Sequence, residues 1–113
     1  NVDVKVLGQR DAMFCASLAR LMGKLKSIEA HEGTLLDHTV LLLGGSQISS
    51  HNGGSFPMLL AGGRKLGFKH GQHLKWPGGT KPASDLYLTI LQQMGCPVKS
   101  FRESSGPIGE ILS

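Results

Sequence analysis

Apolar residues recur at steps of three and four from Phe14 through Leu18, Leu21, Met22 and Leu25 to Ile28. One face of an α-helix repeats at this period, and the spacing predicts a helix that opens at Asp11. An aspartate at the N-cap accepts an otherwise unpaired first-turn N–H. Lys24 and Lys26 fall where cations meet the negative end of the helix dipole, and Gly33 is the predicted stop. Ahead of this helix, Val2, Val4 and Val6 alternate with polar residues, which predicts a short strand or an extended lead-in over residues 1–10.

The period then changes. Thr39–Gly45 ("TVLLLGG") and Phe56–Gly63 ("FPMLLAGG") are continuous apolar runs ended by glycines. A strand covered on both faces reads this way, as in a parallel sheet with helices above and below. Pro57 cannot donate a ladder bond and so belongs at the first positions of its strand. Gly71–Trp76 is expected as a third, half-exposed strand, followed by the turn cluster "PGGTKP". Ser84 is the predicted N-cap of a second helix, with Leu86, Tyr87, Ile90, Leu91 and Met94 as its apolar stripe and Gly95 as its end. The tail beyond Val98 carries weak signals. This order suits an α/β layered sheet with flanking helices. The predicted elements are too few to cover both faces and both edges of two such strands. The expectation is therefore a partial sheet, with 1–113 a single C-terminal fragment of a larger α/β domain. The start on Asn1 rather than Met belongs to the same expectation. The expected partner is the remainder of the parent chain or another subunit.

Composition narrows the class. The 113 residues suit one small domain, and 40% hydrophobic content is too high for a disordered chain. Most of the sixteen glycines lie between Gly44 and Gly79, so the middle of the chain is expected to be rich in loops. The net charge of +4 is spread over separated groups such as Lys24 and Lys26, and Arg64, Lys65 and Lys69. The aromatics Phe14, Phe56, Phe68, Trp76, Tyr87 and Phe101 are dispersed among them without forming an interleaved basic stripe. The charge reads as a solvated surface, and no nucleic-acid partner is expected. No apolar run is long enough to span a membrane. Cys15 and Cys96 are expected as buried free thiols, with a disulfide left open as the alternative.

The candidate chemistry lies in "GGSQISSHNGG". In open α/β sheets ligands bind beyond the carboxyl ends of strands. Glycines there let backbone N–H groups converge on an anion. Ser46, Ser49 and Ser50 add hydroxyls, and His51 adds an imidazole. The plainer reading is a long polar turn. Gly44 and Ser46 supply half of a nucleophile elbow, but Ile48 stands where the second glycine is needed, which argues against a serine hydrolase. "HGQH" pairs His70 with His73 and no HExxH occurs. Taken singly, a histidine is more often a hydrogen-bonding group than a ligand, and His51 stands out because of its loop. "FRESSGP" (Phe101–Pro107) reads as a tight surface turn in preference to an anion site.

The succession "EGTLLDHTVLLLGGSQISSHNGGSFPMLLAGG", "GQHLKW", "SDLYLTILQQMGCPV" and "FRESSGPI" resembles the C-terminal part of a family of uncharacterised secreted bacterial proteins named for an HXXSHH motif. The likeness covers nearly the whole chain and rests on the order of these blocks; the naming motif itself is not among them. That family in turn looks distantly like the alkaline-phosphatase-like superfamily, in which a buried strand ends in a metal-binding segment and a later histidine completes a metal shell. By this resemblance Gly45, Ser46 and Gln47 stand at the ligand segment and His51 at the later histidine. Serine and glutamine are weak ligands for a divalent metal such as zinc. The resemblance implies a metal-assisted, hydrolase-like site of the phosphatase and sulfatase superfamily. Ser46 and His51 would be its catalytic candidates, His51 a metal ligand and a divalent metal its cofactor, with the remaining groups supplied from elsewhere. It also implies a periplasmic or secreted location. The alternative is a non-catalytic binding or structural module with a degenerate metal site.

Overall fold

The structure, a computed structural model, describes residues 3–44, 57–77 and 80–113. Its first element is α1, Val4–Ser27, and the cap is Asp3, whose carboxylate accepts the Lys5 N–H at 2.9 Å. Where a strand or lead-in was expected over 1–10, residues 4–10 are helix, and Asp11 lies inside it. Val4 and Leu7 continue the three-and-four spacing backwards from Phe14, and that longer periodicity outweighs the brief alternation of three valines. Lys24 and Lys26 sit in the last turn, and the chain leaves the helix at Ile28 in an extended conformation. Gly33 does not end the helix. At φ +118° it serves the tight turn between β1 (Glu29–Ala30) and β2 (Gly33–Thr34), an antiparallel pair.

No residue of α1 is fully buried, and Cys15 is exposed. Cys96, beyond the second helix, is exposed too, so the expectation of buried thiols is corrected; both cysteines are free. The apolar side of α1 spans more surface than its own chain covers, which leaves Met13 and Phe14 70% and 55% exposed.

A 3₁₀ turn at Leu35–His38 leads into β3 (Val40–Gly44), which pairs with β4 (Met58–Gly62). Both apolar runs form strands, and Pro57 stands immediately before its strand. They run antiparallel to each other, in register from Val40 opposite Gly62 to Gly44 opposite Met58. The parallel arrangement is corrected, because a continuous apolar run reports burial, not direction. Val40, Leu42 and Leu60 share one face of the pair; Leu41, Leu43, Leu59 and Ala61 share the other. The chain turns away from β4 through Gly62 and Gly63, both at positive φ. A Cβ at Gly62 would overlap the Thr39 carbonyl oxygen.

Gly71–Trp76 forms no strand. The second helix, α2, spans Ala83–Gln93 with Pro82 at its N-cap. The fixed φ of proline suits that entry. Ser84, the expected cap, is instead a buried first-turn residue. Gly95, at φ +90°, follows the helix end as expected. The tail closes with a 3₁₀ turn at Gly109–Ile111 and a bridge between Phe68 and Leu112. Phe68, Ile108 and Ile111 form the core, with Val40, Leu60, Leu86 and Ile90 packed against it. Among the described residues the architecture is mixed α/β: two α-helices and two small antiparallel two-stranded sheets, with α2 and the tail on one face of β3–β4.

Candidate functional site

The β3–β4 ladder fixes both roots of the glycine-serine-histidine connection. Gly44 and Met58 are the last paired residues, so residues 45–57 leave and return at one end of the sheet. Ser46 and His51, the two candidate site residues, lie outside the described residues, as do Gly45, Gln47, Ser49 and Ser50. The structure places the loop's two anchors but not these side chains.

Two carboxylates in the described part are built into polar networks. Asp85 has no solvent exposure. Its Oδ1 accepts the backbone N–H of Ser105 at 2.6 Å and of Gly106 at 3.4 Å, and its Oδ2 accepts the Ser105 hydroxyl at 2.8 Å. Lys81 Nζ, four residues earlier and ahead of the helix, stands 3.7 Å away. Burial pushes this carboxyl up, but the Ser105 and Gly106 hydrogen bonds and the Lys81 charge outweigh it and hold it below the usual aspartate value. One turn on, Thr89 donates to the Asp85 carbonyl and accepts the Ile108 N–H, each within 2.8 Å. The "FRESSGP" segment is the expected tight turn, closed by Ser104 N–H to the Phe101 carbonyl. It does hold an anion, and that anion is the carboxylate of its own chain.

Asp37 is the second such group. Its Oδ2 accepts the Thr34 N–H at 2.8 Å and the Thr34 hydroxyl at 3.2 Å, and its Oδ1 accepts Arg64 Nε at 3.0 Å. The Arg64 hydrogen bond, then the Thr34 N–H, hold this carboxyl well below the usual range. The pair ties the 3₁₀ turn before β3 to the turn after β4. From sequence both aspartates stand only as carboxylates available to a metal site beside the histidines, not as the centres of these networks. Asp85 could have been found from Asp85, Leu88 and Thr89 at helical spacing, facing a serine-glycine turn.

The described histidines do not gather. His38 donates through Nε2 to the His31 carbonyl at 2.8 Å, and His70 through Nε2 to the Gly62 carbonyl at 2.6 Å. His73 is exposed. Among the described residues, no three His, Cys, Asp or Glu side chains come together in a way that could hold a metal ion. No helix there is long and apolar enough to cross a membrane.

The described surface also holds a groove of about 520 Å³ between β3 and α2. Val40 and Leu42 line one side, and Tyr87, Ile90, Leu91 and Met94 the other, with His38 and Thr39 at one end. The buried face of α2 is Ser84, Asp85, Leu88 and Thr89. The predicted apolar stripe therefore exists, but much of it faces this groove. Three of the four residues the helix buries best are polar, and hydrogen bonding is what admits Asp85 and Thr89. Ser84 is the exception, since its buried Oγ has no partner.

No protein-family model, no curated protein and no solved structure matches the chain.

Proposed function

We propose that this chain is an α/β module of a distantly alkaline-phosphatase-like protein resembling the HXXSHH-motif family, and that it binds an anionic ligand through the 45–57 loop without being a complete catalytic centre. The observation that carries this reading is the antiparallel β3–β4 ladder, which anchors both ends of the loop at one end of an apolar sheet. Ser46 supplies a hydroxyl donor and His51 an imidazole. Any further groups come from the remainder of a parent chain or from another subunit. The same resemblance carries the proposal of a periplasmic or secreted location.

The donor set does not fit a resident divalent metal by itself. The loop offers one imidazole together with hydroxyl and carboxamide oxygens, which are poor zinc ligands. The two well-built carboxylates, Asp37 and Asp85, are already held by Thr34 and Arg64 and by Ser105, Gly106 and Lys81. No catalytic step through a metal is assigned to these residues. A hydrolase-like reading is the second proposal. It is favoured by the loop's position at a strand's carboxyl end, where a nucleophile or a base from elsewhere could meet His51.

The two readings separate on the intact protein. The binding reading expects inorganic phosphate to bind without a stoichiometric metal. His51→Ala then weakens binding about tenfold, the size of one charge-assisted hydrogen bond. The hydrolase reading expects stoichiometric zinc, manganese or calcium and turnover of p-nitrophenyl phosphate or sulfate, both lost in His51→Ala. A protein that neither binds phosphate nor turns over either ester contradicts both.

A further inference from the structure

All eight Asp and Glu residues lie in 1–37 or 85–113, so residues 38–84 carry lysine, arginine and histidine and no carboxylate. The chain leaving β4 crosses this stretch as a ribbon, residues 64–76. Leu66, Phe68, Leu74 and Trp76 turn inward, Phe68 as part of the core and the others packed against it. Lys65, Lys69, His70, His73 and Lys75 are exposed. Side chains on extended backbone point to opposite sides in turn, so the Phe68–Leu112 bridge, where Phe68 is buried, sends Lys69 outward.

The ribbon's neighbours leave those lysines unpaired. Asp37 is held by Arg64, and Lys81 stands beside Asp85. Glu110 adjoins the ribbon, where its backbone carbonyl accepts the Gln72 side-chain N–H, and it is exposed. Among the described residues no carboxylate forms an ion pair with Lys65, Lys69 or Lys75. Charged side chains are stable in water, so this surface needs no further element of the fold to cover it. The lysines are spaced along the ribbon from 65 to 75, an arrangement matched by charges that also repeat along a chain.

We propose that this ribbon is a docking surface for a flexible linear polyanion, a chain that repeats phosphate or sulfate groups. Neutralising such charges releases condensed counterions, which drives association without a shaped pocket. The ribbon carries no exposed large hydrophobic side chain, so it has nothing to insert into a bilayer. Its aromatics, Phe68 and Trp76, pack into the core instead of offering faces for bases to stack on, and the ribbon holds no α-helix to enter a major groove. Charge is therefore the recognition element. The surface is separate from the 45–57 loop, which joins β4 at Met58, whereas the ribbon leaves it beyond Gly62. The inference goes beyond the loop's ligand: a protein that binds inorganic phosphate but no polyanion overturns it and leaves the functional reading standing.

The test is binding of the intact protein to heparin and to long-chain inorganic polyphosphate over a salt series. Both are expected to bind, with log K falling against log salt at a slope of about −2, roughly 0.7 for each of the three lysines. Lys69→Gln is expected to weaken heparin binding about fivefold and to lessen the slope by about 0.7. The triple variant Lys65→Gln, Lys69→Gln, Lys75→Gln is expected to abolish binding at physiological salt, with circular dichroism showing that it is folded. Lys5→Gln and Lys26→Gln, on α1, remove the same charge and are expected to leave binding unchanged. Equal weakening by the α1 and ribbon variants overturns the proposal, because net charge alone is then at work. So does tighter binding to duplex DNA or to phosphatidylserine vesicles at the same salt, or no binding to either polyanion.

Discussion

Asp85 shows how a polar side chain comes to organise the middle of this molecule. It is fully buried, yet it is stabilised because two backbone N–H groups and one hydroxyl converge on it. Asp85→Ala would leave those donors unpaired. The expected loss is about 3 kcal/mol of unfolding free energy by urea titration, with a smaller loss for Asp85→Asn, which keeps one acceptor oxygen. Ser84, its neighbour, has a buried hydroxyl with no partner. Ser84→Ala is therefore expected to leave stability unchanged or raise it by up to about 1 kcal/mol. The depressed Asp37 and Asp85 also set a pH dependence. A carboxyl whose folded pKa lies below its unfolded value of 3.8 contributes stability above that value and loses it as pH falls through the folded value. The urea midpoint is expected to fall as pH drops below about 4, less steeply in Asp85→Asn. Arg64→Met is expected to raise the Asp37 pKa in a carboxyl NMR titration, since the arginine hydrogen bond is the largest cause of its depression. The helical spacing of Asp85, Leu88 and Thr89 is legible in sequence, but a buried aspartate on a helix is told from a solvated one only once its donors, twenty residues away, are in place.

The elements themselves were more legible. The three-and-four spacing located α1 but not its start, because three alternating valines mimic a strand over a stretch too short to decide. The apolar runs located β3 and β4, but not their direction, and Gly71–Trp76 looked like a strand without becoming one. The stripe on α2 was identified correctly, but its destination was not: sequence reports that a face is apolar, and tertiary structure decides what it meets. Gly62 governs the exit from β4. It holds φ +76°, and any Cβ there meets the Thr39 carbonyl oxygen. Gly62→Ala is expected to cost more than the ~1 kcal/mol of an ordinary glycine-to-alanine strain and to lower the thermal midpoint accordingly.

The chain taken whole has more apolar surface than it covers. Its radius of gyration is 15.8 Å, where a compact domain of this length has about 13 Å. The core proper is small, centred on Phe68, Ile108 and Ile111. The expectation of a partial sheet came from counting predicted elements against the faces to be covered; the described residues show two small two-stranded sheets and a solvent-facing apolar stripe on α1. The candidate site was legible only as a loop composition; its anchors agree with a strand-end loop, while Ser46 and His51 lie outside the described residues. The central claim is that the antiparallel β3–β4 ladder holds both ends of the 45–57 connection at one end of an apolar sheet. Amide hydrogen exchange across Val40–Gly44 and Met58–Gly62 measures this directly. The account predicts slow exchange at the amides bonded across the ladder in both strands. Fast exchange throughout either strand would contradict it.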